Sequence, residues 1–273
     1  MNKSKLCITR LVGAIVLVSA FTASSHAQRY SDWSTPIIYV SQRETRDSEW
    51  GPAINLGPII NTPANEMGPA FSRDGHLMFF ASNRIVGSFG GVDIWVSRRE
   101  HTHDDFAWQP AENLGAGVNS TTLDEGPSYF ENNNEVGVPQ LYFSSGRLSG
   151  GPGKIFVSEQ AADGSFGPAE LVFELSGLGN TRRPSISHDG LEIFFGSERP
   201  EIPNSQDLWV ATRKTVFDAW SEPINLGSPV NSALVDVQPY ISSDRETLFF
   251  ASNRPGGGPT DIYMSTRTKG SRK

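Results

Sequence analysis

The chain has 273 residues, one cysteine and a formal net charge of -7; three basic and no acidic groups fall in its first 27 residues, so the remainder carries -10. A chain this acidic is a poor partner for nucleic acid or for an anionic membrane surface. With its only thiol, Cys7, in that first segment, the remainder can hold neither a disulfide nor a cysteine-ligated metal.

Lys3, Lys5 and Arg10 open a basic start, Leu11 to Phe21 form an apolar run, and Ser25-His26-Ala27 are small residues suited to cleavage before Gln28. The run is shorter than the roughly 20 residues that span a bilayer. Residues 1–27 therefore read as a signal peptide and 28–273 as one exported domain, periplasmic or secreted, with no membrane span after cleavage. A monomer is expected.

Past the leader the chain reads as short strands. Pro69 to Arg98 holds a run ending at Ser72, a reversal at Asp74-Gly75, a second run Leu77 to Ser82, a glycine-rich loop and a third run from Asp93. Asp-Gly between apolar runs signals a hairpin, because glycine accepts the positive φ of the turn. Leu77 to Ala81 is apolar without alternation, which predicts a strand buried on both faces.

The unit recurs. Its second run returns as Leu141 to Arg147, Ile193 to Arg199 and Leu248 to Arg254, and its third at Lys154, Asp207 and Asp261. A fourth element separates the units at Trp50, Trp108, Phe166 and Trp220, with separations of 58, 58 and 54 residues. Short strands at such a period predict an all-β fold, a β-propeller of about four four-stranded blades. Trp95, Phe156, Trp209 and Tyr263, at matching places, are expected to fill the spaces between blades. The last unit lacks a fourth element, whereas IIYVSQR at Ile37 precedes the first WGPAINLG. The N-terminal strand is thus expected to close the ring by completing the last blade. The alternative is five blades, one of them incomplete.

Pro-x-x-Ser-x-Asp-Gly, an apolar strand, Ser-Asn-Arg, a glycine-rich loop and Asp-Ile-Trp-Val together resemble the WD40-like propeller repeat of the TolB type. PAFSRDG at Pro69, PSISHDG at Pro184 and PYISSDR at Pro239 carry the likeness. The second unit departs from it at Glu131-Asn132-Asn133-Asn134, and the last has Asp244-Arg245 for Asp-Gly. The resemblance implies a propeller nearly throughout the mature chain and a role of the Tol kind, binding a peptidoglycan-associated lipoprotein.

Asp74 and Asp189 suit turn shaping through bonds to nearby amides. Arg84 and Asp93, and Arg254 and Asp261, are expected to pair across the loops that join second and third strands. His101-Thr102-His103-Asp104-Asp105 has metal-like composition but lacks the three or four converging ligands of a zinc site. It reads as a solvated loop, and no metal or cofactor is expected.

The residues before each first-strand proline face the central channel in a propeller. They include Glu66, Asp124, Glu125, Arg182, Arg183, Asp236 and Gln238, which differ between units as turn residues would not. They form the candidate ligand site. With no coherent catalytic set, the leading expectation is a non-enzymatic scaffold that binds an envelope protein or glycan. The alternative is a glycoside-active enzyme that uses channel carboxylates.

Overall fold

The computed structural model describes residues 37–43, 48–131, 137–148, 153–177, 179–199, 202–255 and 260–268. The leader, Cys7, the glycine runs after Leu148 and Pro255, and the departing segment 132–134 lie outside the described residues. No helix among them is long and apolar enough to cross a membrane.

The chain forms a short antiparallel pair, β1 (Tyr39–Val40) and β2 (Ile54–Asn55), followed by four sheets. Blade A is β3 (Glu66–Phe71), β4 (Leu77–Ser82), β5 (Asp93–Arg98) and β6 (Glu112–Asn113). Blade B is β7 (Asp124–Phe130), β8 (Gln140–Ser145), β9 (Lys154–Glu159) and β10 (Glu170–Leu171). Blade C is β11 (Thr181–Ile186), β12 (Glu192–Arg199), β13 (Ile202–Thr212) and β14 (Ile224–Asn225), and blade D is β15 (Asp236–Ile241), β16 (Thr247–Ser252) and β17 (Asp261–Thr266). All named strand pairs are antiparallel between neighbours in sequence, as the hairpin signals predict, and the sheets form a four-bladed propeller.

Packing follows from the unalternating second strands. On β4, Met78 and Phe80 join Ile38, Leu56 and Ile60, while Phe79 joins Leu141 and Phe143 of blade B. Tyr142 of blade B packs with Ile193 and Phe195 of blade C, whose Phe194 packs with Leu248 and Phe250 of blade D. Blades A, B and C thus bury both faces only by having neighbours. Trp95, Phe156, Trp209 and Tyr263 sit in these seams as expected.

The closing strand differs from expectation. Ile54 pairs with Val40 and Asn55 with Tyr39, so β2 completes the β1 ribbon and not blade D, which has three strands among the described residues. The cause is local: Asn61 clasps both backbone groups of Ile38, its Oδ1 accepting from the N–H and its Nδ2 donating to the carbonyl, each at 2.8 Å. Asn119 clasps Ile94 and Asn231 clasps Leu208 in the same way, which identifies β1 as a third strand and the ribbon as the outer half of a further blade. Facing it, Tyr240, Phe249, Ile262 and Met264 leave one side of blade D exposed.

The arginines that close the second strands also differ from expectation. Arg84 pairs with Glu66 at 3.1 Å rather than with Asp93, and Arg254 with Asp236 at 2.6 Å rather than with Asp261. Arg147 likewise takes Asp124 at 3.1 Å. Each guanidinium lies over the third-strand aromatic, 4.8 Å from Trp95, 4.6 Å from Phe156 and 4.9 Å from Tyr263, so stacking turns it toward the first strand. Asp93 instead accepts from Phe89 N, Gly90 N and Asn113 Nδ2.

Candidate functional site

The first strands line the channel, and all four carry the same irregularity. Pairing slips between Met67 and Ala70, Glu125 and Ser128, Arg182 and Ser185, and Val237 and Tyr240. Within each bulge the residue before proline is left-handed: Gly68 at φ 57, Gly126 at 62, Arg183 at 54 and Gln238 at 55. Glycine takes that conformation freely, whereas Arg183 and Gln238 take it at a cost of about 1–2 kcal/mol. The surroundings hold them there. Ser144 Oγ accepts from Arg183 N at 2.6 Å, and Ser128 and Ser185 accept from Ile186 N and Ile241 N of the next blade.

All four bulge residues line a cavity of about 420 Å³ along the channel, to which Ile37, Ile38 and Tyr39 also contribute. Its walls include Tyr240, Phe249 and Ile262.

The seven candidate residues separate into two groups. Glu66, Asp124 and Asp236 have fully buried side chains, each satisfied within its own part of the ring. Thr62, Ser120 and Ser232 donate both backbone N–H and hydroxyl to them, and the blade arginine supplies the charge. Burial pushes Asp236 up, but the bonds from Ser252, Ser232 and Arg254 outweigh it and hold the carboxyl below its ordinary value. These acids fasten the blade.

Glu125, Arg182, Arg183 and Gln238 form the second group. Arg183 Nη2 donates to Glu125 Oε2 at 3.2 Å, and Arg182 Nη1 stands 3.4 Å from Oε1. Arg182, held by Asn180 Oδ1 through its Nε, does not line the cavity, whereas Glu125, Arg183 and Gln238 do. Gln238 Oε1 is buried with no hydrogen-bond partner among the described residues.

The other end of the channel is tied by the hairpin tips. Arg73 N donates to Glu131 and Arg73 Nη2 to the His188 carbonyl at 3.1 Å, while Arg245 pairs with Asp189. Asp74 and Asp189 shape their turns as expected, accepting from Ser72 and His76 N, and from Ser187 and Leu191 N. Burial first, and then the Arg73 guanidinium, hold His188 below the ordinary histidine value. In the His101–His103 segment the rings stand 5.4 Å apart, and Asp105 is engaged by Arg99 at 3.0 Å and Gln42 at 2.5 Å. Among the described residues no group of three or more His, Cys, Asp and Glu could hold a metal ion.

Neither a protein-family model nor a curated protein sequence matches the chain. Solved structures do match. A thermostable family-43 glycoside hydrolase aligns with a TM-score of 0.57 and 13% identity, covering 84% of this chain and 81% of its own. The arabinanase Arb43A of Bacillus subtilis aligns with a TM-score of 0.55 and 10% identity, over 85% and 86%. A TolB structure from Agrobacterium tumefaciens aligns at 0.49 and 15%, over 76% and 60%. At these identities the likeness is one of fold. The expectation of a non-enzymatic scaffold meets a contrary finding, since the family-43 glycoside hydrolase and the arabinanase that share this fold are enzymes.

Proposed function

We propose that this chain is a glycoside-active propeller that takes a saccharide at the channel mouth framed by Glu125, Arg183 and Gln238. The observation that carries the reading is the separation of the first-strand acids. Asp124 and Asp236 are sealed inside their blades, while Glu125 lines the cavity. The walls of Tyr240 and Phe249 offer flat apolar surface to a sugar face, and Gln238 Oε1, which has no hydrogen-bond partner among the described residues, offers an acceptor to a hydroxyl. The fold's likeness to arabinanases and arabinofuranosidases supports the same class of ligand. The basic start and apolar run at the N-terminus support action in the periplasm or outside the cell.

Cleavage by the common route uses two carboxylates about 5–5.5 Å apart in retaining enzymes or about 6.5–9.5 Å apart in inverting ones. Glu131 stands past the end of β7, at the hairpin-tip end of the channel where it accepts from Arg73 N, and is not taken as the partner. Glu66 is the remaining carboxylate that lines the cavity, and it is held by Thr62, Ser82 and Arg84. Glu125 is therefore assigned the contact with the glycosidic bond.

The test is release of aryl alcohol from nitrophenyl arabinofuranosides, xylosides and uronides, and of reducing sugar from plant and bacterial polysaccharides. Turnover by the purified protein that falls at least a hundredfold in Glu125→Gln is expected. No turnover on any substrate, or turnover that Glu125→Gln leaves intact, rejects the reading.

A further inference from the structure

Immediately around Glu125 the charge is opposite in sign to that of the whole chain. Glu66 is neutralised by Arg84, whereas Glu125 is shared by Arg182 and Arg183, which leaves one guanidinium in excess. At the far end Arg73 and Glu131 offset each other. Although the chain carries a formal charge of -7, the mouth around Glu125 thus holds two guanidinium groups against one carboxylate.

That guanidinium is built into place. Arg183 occupies a left-handed position where blades A and B carry glycine, and its side chain crosses Gly126 so closely that a Cβ there would lie 2.9 Å from Arg183 Cα. Its N–H is fixed by Ser144 and its Nη2 by Glu125, while Nε and Nη1 make no hydrogen bond among the described residues. The side chain is 32% exposed and lines the cavity. A guanidinium anchored at one nitrogen with free donors beside it is suited to a second, bidentate carboxylate. Backbone strain retained around such a side chain is typical of ligand clamps.

We infer that the mouth selects an anionic saccharide, a uronate whose carboxylate is taken by Arg183 while a ring hydroxyl donates to Gln238 Oε1. The two clamps stand on equivalent bulges of blades C and D, both left-handed, so carboxylate and hydroxyl are read from one side of the channel. The inference rests on the reading of this mouth as a saccharide site and adds the class of sugar.

The test is calorimetric binding of the purified protein to methyl glucuronide and methyl galacturonide, to their methyl esters, to methyl glucoside and to acetate. The free uronates should bind at least tenfold more tightly than the esters, which lose only the charge, and the preference should fall with added salt. Arg183→Gly should abolish it while leaving the melting temperature unchanged or higher, because glycine suits the positive φ. Arg183→Lys should retain only part of it, since an ammonium cannot bind bidentately. Equal binding of acid and ester, acetate as tight as uronate, or a preference that survives Arg183→Gly would overturn the inference. In each case saccharide binding or turnover would leave the glycoside reading standing. Binding to no saccharide, charged or neutral, together with no turnover, would remove both.

Discussion

Arg254 reaches back across its blade to Asp236, Nη2 to Oδ1 at 2.6 Å, and the same nitrogen donates to the Val230 carbonyl in the linker ahead of the blade. One side chain therefore ties the channel strand, the second strand and the preceding linker, while its face covers Tyr263. Blades A and B repeat the arrangement. Blade C replaces the acid with Thr181, whose hydroxyl lies 3.1 Å from Ser197 Oγ.

Asp236→Ala should destabilise the protein by about 3 kcal/mol, because it leaves a largely buried guanidinium and the Ser232 N–H without their acceptor. Chemical denaturation of the variant measures it. A loss below about 1 kcal/mol would show the ion pair to be dispensable. Since this carboxyl is held below its ordinary value, its contribution persists above about pH 4 and is lost as pH falls through the lower, folded value.

The asparagine clasp predicts a second loss. Asn119 satisfies both backbone groups of Ile94 from a position 3% exposed and also donates to Asn113, so Asn119→Ala strands two buried polar groups. A cost of about 2–4 kcal/mol is expected. Asn119→Asp keeps the acceptor and loses the donor, and should fall between the two in thermal unfolding. Equal stability of the alanine variant and the parent would contradict the clasp.

Much of this was legible in the sequence. The period, the unalternating second strands and the seam aromatics specified the propeller, because burial on both faces demands neighbours. The structural role of the acids was also written there and went unread. Asn61-Thr62 precedes Glu66, Asn119-Ser120 precedes Asp124 and Asn231-Ser232 precedes Asp236, each hydroxyl four residues ahead of its acid. That spacing is the clasp and the double hydrogen bond together. Arg183 and Glu125 both line the cavity, but their contact joins residues 58 apart in chain, and no local pattern encodes it. The pairing of β2 with β1 was misjudged because the same strand sequence serves a closing strand and a local partner equally well. Only the clasp on Ile38 decides between them.

His188 predicts a pH dependence at the tied end of the channel. Its folded value lies below the ordinary 6.5, owing to burial and to Arg73, with Asp189 opposing and Arg245 adding to the effect. As pH falls, the unfolded chain takes up this proton before the folded one does. Stability is therefore full above about pH 6.5, declines as pH drops toward the lower folded value and levels off beneath it. Unfolding free energies from pH 8 to 5 should show this decline in the parent and lack that component in His188→Asn. Parallel curves for the two proteins would exclude it.

Gly126 predicts how the mouth fails when its floor is filled. The residue sits at φ 62, and a Cβ would meet Arg183 Cα at 2.9 Å, Cγ at 3.0 Å and Cβ at 3.2 Å. The first of these is backbone and cannot swing aside, so Gly126→Ala must either push β11 from β7 or abandon the left-handed bulge. Left-handed alanine alone costs about 1–2 kcal/mol, and displacement of the neighbouring strand adds to it. Gly68→Ala shares the dihedral cost, at φ 57, but meets only Gly126 Cα at 3.9 Å. The two variants therefore separate strain from crowding. Gly126→Ala should melt several degrees below Gly68→Ala and should weaken ligand binding as Arg183 is lifted from Glu125. If both melt alike and bind alike, Arg183 does not lie on Gly126 in solution, and the clamp assigned to it has no floor.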